Sequence, residues 1–544
     1  MQNPTATYRL QFHKNFGFEQ LQSIIQYLVD LGVATVYASP VFKSVPGSTH
    51  GYDGLDPNQL NPEIGTLEQL KRITKKLRSQ GVGWLQDIVP NHMAFNPENR
   101  WLRDVLEKGQ HSEYAGFFDI DWNEKLMVPF LGNDLETVIA ANELKLVTID
   151  GKKQLQYYDS EYPISEIDTE GKNAGNVRQL LEAQSYRLCS WQETDSRINY
   201  RRFFTINGLI CMNMHDPDVF NAYHQLAGNL VKEGVFQGLR IDHIDGLYDP
   251  ATYLRRLRER CGDEVYITVE KILQPQELLP SGWEAQGTTG YDFLALVNNL
   301  LTNAAASQSF TDFYQQLTGD DIPVEMQVQN KKAQILHHHM RGELDNLADL
   351  FRQRDLVNKK SFAAVRTDDL REAIAEWLIH CPVYRFYGNM LPLEQHEADA
   401  VQQVFNKIKT QNPELVRAVG LLEEAILHYP HQGNRERNEQ AAHFYKRCMQ
   451  FSGPLMAKGV EDTLMYTWNR FIAHNEVGDQ PSSFGIEVHQ FHAAMQERQR
   501  QWPFTMNATS THDTKRGEDV RARLNVLTDL PEYWFAKVNE WKEM

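Results

Sequence analysis

Within the first 95 residues, short β-rich segments alternate with amphipathic helical ones, and that rhythm leaves few architectures open. ATYRLQF (6–12) reads as a strand, FEQLQSIIQYLVDLG (18–32) as a helix and ATVYASP (34–40) as a second strand. TLEQLKRITKKLRSQG (66–81) follows as a helix and WLQDIV (84–89) as a third strand. Strands joined through helices run parallel, because the crossover returns the chain to the same end of the sheet. Such a sheet either closes into a barrel or stays open as a doubly wound layer, and periodicity does not choose between them.

Residues 96–200 break the rhythm. They are rich in Trp, Tyr, Asp, Asn and Gly, with mixed short strands such as LKLVTIDGKKQLQYYD (144–159), and read as a subdomain inserted after the third strand. Alternation resumes with a helix near 217–234, strand GLRIDHI (238–244), a helix over 250–260 and strand EVYITVEKI (264–272). From about 298 to 450 the chain is polar and helical without strand runs, which predicts a second, helical insertion; an α/β piece follows from 451.

The chain is 544 residues long, and its formal charge of −17 disfavours nucleic acid and anionic membrane surfaces as partners. A neutral ligand such as a sugar suits this balance. Five scattered cysteines, Cys189, Cys211, Cys261, Cys381 and Cys448, form no CxxC pair, so neither a disulfide framework nor a zinc site is expected. The start, MQNPTATYRLQF, lacks a basic segment followed by an apolar one, and no run of 18 apolar residues occurs. Neither a signal peptide nor a membrane span is therefore expected, and the expected setting is cytoplasmic. The His337–His339 run lies inside the helical insertion, where a solvated helix face accounts for it better than a metal site does.

Acids recur at the ends of predicted strands: Asp87 in WLQDIVPNH, Asp242 in GLRIDHIDG, Glu270 in YITVEKIL and Asp513 in ATSTHDTKRGED. In a (β/α)-barrel those ends form the active-site rim. Asp242 and Glu270 stand 28 residues apart, one βα unit, which predicts neighbouring strands. Neighbouring strands about 4.8 Å apart allow the roughly 5–5.5 Å carboxyl separation of a retaining glycosidase. One acid must stay ionised as the nucleophile, and Arg240, two residues before Asp242, can hold it so. Another must carry a proton for the leaving oxygen, and a third can grip ring hydroxyls, to which His92 and His512 can also donate. A single Asp at a strand end is usually a helix cap or turn former, as Asp245 and Asp249 are expected to be.

DIVPNH (87–92), GLRIDHID (238–245), the Glu of VEKI (269–272) and STHD (510–513) together resemble, in order, the four signature regions of the α-amylase superfamily, glycoside hydrolase family 13. The resemblance implies a (β/α)8 barrel of the TIM type with a small domain after the third strand; with the boundaries read above, the barrel would comprise 1–95, 201–297 and 451–544, the subdomain 96–200 and the helical insertion 298–450. It also implies Asp242 as nucleophile, Glu270 as general acid/base and Asp513 as transition-state stabiliser. Asp87, His92, Arg240, His243 and His512 would surround the first sugar subsite, with Tyr52 of THGYD (49–53) as the aromatic platform.

SPVFKSVPGSTHGYDGLDPNQLNPEIG (39–65), RRFFTINGLICMN (201–213), CPVYRFYGN (381–389), GPLMAKGVEDTLMY (453–466), NEVG (475–478) and HDTKRGEDVRARL (512–524) resemble a glucosylmutase branch of that superfamily. The resemblance implies intramolecular conversion of the reducing-end α-1,4 linkage of a maltooligosaccharide to an α,α-1,1 linkage, a step of trehalose biosynthesis, without cofactor or metal. A trehalohydrolase would take the product, with no stable complex implied. Lys458–Asp462 and Tyr384–Tyr387 are candidates for walls that exclude water, or for packing. The family's chains continue past the point where this sequence stops, so the expectation is a barrel short of its last strand. An amylase-type hydrolase, a 4-α-glucanotransferase and an inactive glucan-binding protein are the competing readings.

Overall fold

The computed structural model describes residues 3–149, 151–165, 177–275 and 277–544. Part of the predicted subdomain, residues 166–176, lies outside the described residues. The chain divides into two compact units: Met1–Tyr266 with His338–Asp349, and Ile267–His337 with Leu350–Met544.

The first unit holds four parallel strands, β1 (Thr7–Leu10), β2 (Thr35–Ala38), β3 (Gly83–Ile88) and β4 (Gly238–Ile241). Each pairs with its predecessor in chain order. That sequential order is the order of a barrel; a doubly wound sheet would reverse direction partway. Tyr266, where the next strand begins, donates its N–H to the Gln237 carbonyl beside the start of β4.

Local chemistry explains the helices between these strands. Phe18–Asp30 buries Phe18, Leu21, Ile25 and Leu28 at helical spacing. Leu67–Ser79 starts at a capping box, in which the Thr66 side chain accepts from the Gln69 N–H and Gln69 reaches back to the Thr66 N–H. Beneath the strands, buried Trp84 stacks at 5.8 Å on Phe12 and at 6.4 Å on Phe236. The expected helix over 217–234 is two, Pro217–Tyr223 and Gln225–Lys232, which meet at His224.

After β3 the chain forms Arg100–Lys108 and then small sheets. Leu144–Ile149, Lys152–Tyr157 and Ser160–Pro163 make an antiparallel meander, and Leu126–Leu131 pairs in parallel with Tyr186–Ser190. His338–Asp349, which the sequence placed with the helical insertion, clusters with this unit. The Arg202 guanidinium meets Glu343 at 2.8 Å, and the Asn346 amide donates to the Ile198 carbonyl.

The second unit is almost wholly helical, with a short extended core. The Val269 N–H donates to the Gly287 carbonyl and the Thr289 N–H to the Val269 carbonyl, so 286–289 runs alongside 267–269. The Met506 N–H donates to the Thr288 carbonyl, so the chain near 506 lies against 286–289. Between 298 and 450 every element among the described residues is helical, and Trp377 is enclosed there by Phe405, Phe444 and Tyr445. His337, His338 and His339 are exposed at the end of helix Val324–His339. No helix of the described residues is long and apolar enough to cross a membrane.

Trp84→Ala removes the largest side chain under the strands. It should destabilise the first unit by about 3–5 kcal/mol, seen as a lowered urea midpoint; a midpoint shift worth under about 1 kcal/mol would mean the strands do not depend on that packing.

Candidate active site

Register brings the first charged group together. Arg240 on β4 pairs directly with Asp87 on β3, so their side chains share one face of the sheet. The Arg240 guanidinium donates from Nη1 to Asp87 Oδ1 at 2.8 Å and to Asp242 Oδ1 at 2.5 Å. Arg240 is 1% exposed, Asp87 0% and Asp242 7%, so this contact runs through a medium in which unpaired charge is very costly. The arrangement favours an ionised Asp242. Immediately beyond, His243 adopts a left-handed backbone with φ 45°, a conformation rare for a residue with a Cβ, and the chain turns sharply into Ile244–Gly246.

Tyr52 reaches the same group from the loop after β2. Its hydroxyl donates to Asp87 Oδ2 at 2.6 Å and accepts from Arg9 Nη2 at 3.1 Å. Arg9 lies on β1, and Gln11 Nε2 donates to the Thr49 carbonyl at 2.8 Å, tying the Tyr52 loop to the end of β1. Gly51 has φ 78°, and a Cβ there would stand 2.7 Å from the Pro40 carbonyl oxygen, so the close approach of this loop requires glycine. Burial pushes the Asp87 carboxyl up, opposed by Arg240, the Tyr52 hydroxyl and Arg9. Burial and then Asp87 hold the Tyr52 phenol well above its ordinary value, so it stays a donor.

His92 is buried, with Nε2 at 3.2 Å from the Tyr52 carbonyl and its ring 4.3 Å from that of Phe203. Burial, followed by His243, lowers its pKa to about 3, which keeps the imidazole neutral. His243 stands edge-on to Phe203 and Phe204 at 5.1 and 5.2 Å. The first unit thus connects Tyr52, Asp87, His92, Arg240 and Asp242 through hydrogen bonds, with His243 at the next residue.

Glu270, His512 and Asp513 belong to the second unit. Glu270 directly follows strand Tyr266–Val269 and is half-buried. Its neighbour Lys271 is buried, paired with Glu277 at 2.9 Å, and lies over the rings of Tyr384 and Tyr387 at 5.5 and 5.4 Å. Trp283 packs edge-on against Tyr387 at 4.8 Å, completing an aromatic enclosure beside Glu270. The Tyr384 hydroxyl donates to Glu461, which sits in a widened π-helical turn, Ala457–Leu464. Burial raises the Glu461 carboxyl to about 7; Tyr384 and Lys515 pull it down, and Asp462 and Glu270 push it further up. In the same turn Lys458 pairs with Asp462 at 2.7 Å.

Asp513 lies on a loop rather than at the end of a regular strand. Its Oδ2 accepts from the Tyr291 hydroxyl at 2.9 Å and stands 3.2 Å from His512 Nε2. Thr511 Oγ1 accepts from the Asp513 N–H and donates to the Tyr291 oxygen, so the turn and the carboxylate share one support. The sequence reading overlooked Arg9, Lys271 and Tyr291, and named Glu461 only within the Lys458–Asp462 segment, as wall or packing. Lys271 had a signal, a cation next to a strand-end acid; Tyr291 and Glu461 are remote in sequence from what they touch.

The matching family model, "Alpha amylase, catalytic domain", covers residues 17–430, and the chain belongs to this family. Within it, the sequence is 34% identical to a putative maltooligosyl trehalose synthase of Mycobacterium tuberculosis, over 97% of this chain. The chain spans 65% of that relative's length. The structure is similar to that of maltooligosyltrehalose synthase from Arthrobacter ramosus, with TM-score 0.87 and 34% identity over 99% of this chain and 67% of the other. It is also similar to the hypothetical maltooligosyl trehalose synthase of Sulfolobus tokodaii, with TM-score 0.81 and 32% identity over 100% of this chain and 67% of the other.

The raised carboxyl of Glu461 has a thermal consequence. Its proton stabilises the folded form; that contribution is complete below the ordinary value of 4.5 and is lost as pH rises through about 7. Glu461→Gln should therefore remove part of the fall in Tm between these pH values, measured by calorimetry. Parallel Tm curves for both proteins would show that Glu461 does not titrate there.

Proposed function

We propose that this protein converts the reducing-end α-1,4 linkage of maltooligosaccharides to an α,α-1,1 linkage, as a maltooligosyltrehalose synthase. The observation that carries the reading is Arg240 shared between Asp87 and Asp242 at the register-paired ends of β3 and β4. That arrangement supplies an ionised, immobile carboxylate, which is what a retaining displacement requires. The likeness to synthases along nearly the whole chain supports the choice of reaction.

In the proposed reaction Asp242 attacks the anomeric carbon of the glucosyl unit next to the reducing end, and Glu270 protonates the departing 4-oxygen. The released glucose turns, and its anomeric hydroxyl attacks the glycosyl-Asp242 ester while the Glu270 carboxylate accepts the proton of that hydroxyl. Two inversions leave the configuration retained. One C–O bond breaks and one forms in each half, so the sum is an isomerisation. Asp513 stabilises the oxocarbenium-like transition state; Asp87, His92, Arg240, His243 and His512 bind around the first sugar, and Tyr52 forms its platform. The enclosure of Lys271, Tyr384 and Tyr387 next to Glu270 keeps water from the intermediate.

This reading treats 1–95, 201–297 and 451–544 as the barrel and 96–200 and 298–450 as its insertions. It also places the protein in the cytoplasm, ahead of a maltooligosyltrehalose trehalohydrolase that consumes the product.

Incubation with maltopentaose tests the reaction. A mutase consumes reducing ends without releasing glucose and gives a trehalosyl terminus by NMR; new reducing ends would mean hydrolysis instead. Asp242→Asn should lower turnover by at least about a thousandfold while sugar affinity, measured by calorimetry, changes little. A variant within tenfold of the parent rate would remove Asp242 from the role of nucleophile.

A further inference from the structure

The sequence NEVG draws attention to Glu476, an acid with no place in the reaction above. It is completely buried, and four N–H donors converge on it. Oε1 accepts from the Lys515 N–H at 2.7 Å and the Val477 N–H at 2.9 Å; Oε2 accepts from the Arg516 N–H at 3.0 Å and Arg521 Nη1 at 3.1 Å. Two of these donors are the backbone amides two and three residues after Asp513.

Arg521, itself buried, completes the clamp. Beyond Glu476 it donates to the carbonyls of Thr509 and Arg516, the two ends of the loop that carries Asp513. Arg516 in turn donates from Nη1 to the Asn475 carbonyl at 3.2 Å. The turn bearing Glu476 is braced from the other side, where buried His474 meets Asp479 at 2.7 Å and the Asn298 and Asn299 amides donate to the same carboxylate.

We propose that Glu476 is a positioning residue: with Arg521 it locks the Thr509–Arg516 loop and so sets where the Asp513 carboxylate stands. This rests on the reading of Asp513 as the transition-state stabiliser. A carboxylate is the side chain that suits this place, because it presents acceptors only, and four donors face it. An amide of the same size would turn an N–H2 group toward two donors and push the loop aside without opening a cavity. Misplacing a catalytic group by about 1 Å costs on the order of a hundredfold in rate.

The test is a double-mutant cycle between Glu476 and Asp513, with rates on maltopentaose taken per folded molecule from near-ultraviolet circular dichroism. Glu476→Gln should lower kcat by about 30- to 100-fold, with KM changed less than about threefold. In an Asp513→Asn background the same substitution should lower the residual rate by less than about threefold, because the carboxylate it positions is gone. A merely structural Glu476 would lower Tm but leave kcat per folded molecule unchanged, or would multiply the loss fully in both backgrounds; either result overturns the proposal. Near-normal turnover by Asp513→Asn alone overturns the reading beneath it instead. Should Glu476→Gln not fold, Arg521→Lys keeps the charge and loses the fork to Thr509 and Arg516, and it should show the same coupling to Asp513.

Discussion

The buried guanidinium of Arg240 is the interaction on which the first unit's chemistry depends. Two carboxylates and a cation this deeply buried are tolerated only as a set. Arg9, bonded to the Tyr52 hydroxyl that caps Asp87, adds a second cation, so two positive groups act on Asp87. Parallel pairing of β3 with β4 places Arg240 opposite Asp87, and Asp242 follows two residues later, just past the end of β4. The positive φ of His243 then turns the chain away at once. The strained backbone is held by the structure around it, as is usual where a functional group must point in one direction.

The second unit solves a similar problem by different means. No long strand supports Asp513, which sits on an irregular loop. Hydrogen bonds replace sheet register there: Tyr291 and Thr511 hold the carboxylate, while Glu476 and Arg521 hold the backbone around it. Near Glu270 the support is an enclosed cation instead. Lys271 is compensated by Glu277 and by the faces of two tyrosines, and one of these, Tyr384, bonds Glu461. Burial is what chiefly raises the Glu461 carboxyl, and the Glu270 charge adds a small further push upward.

Much of the architecture was legible because its signals are local. Helical spacing of Phe18, Leu21, Ile25 and Leu28 and the Thr66–Gln69 box marked the first two helices within a few residues. Strand-end acids were visible because the short strands are almost wholly apolar around them. Less legible were breaks and allegiances set by packing, such as the division at His224 and the attachment of His338–Asp349 to the first unit through Arg202 and Glu343. The strand expected before Asp513 is a loop, in which the Thr511 and Asp513 N–H groups bond the Thr514 and Thr511 hydroxyls.

The sequence alone determined the alternating α/β character, the family signatures and the placing of Asp87, Asp242 and Glu270 at or just past strand ends, since these depend on periodicity and on order along the chain. Tertiary structure decided that the first unit's strands run in sequential order, that one arginine serves two carboxylates, and which groups Glu476 and Glu461 touch. Those outcomes depend on which distant residues share a water-free space, and in such a space the cost of an unpaired charge or an unmade hydrogen bond selects partners that no local pattern records.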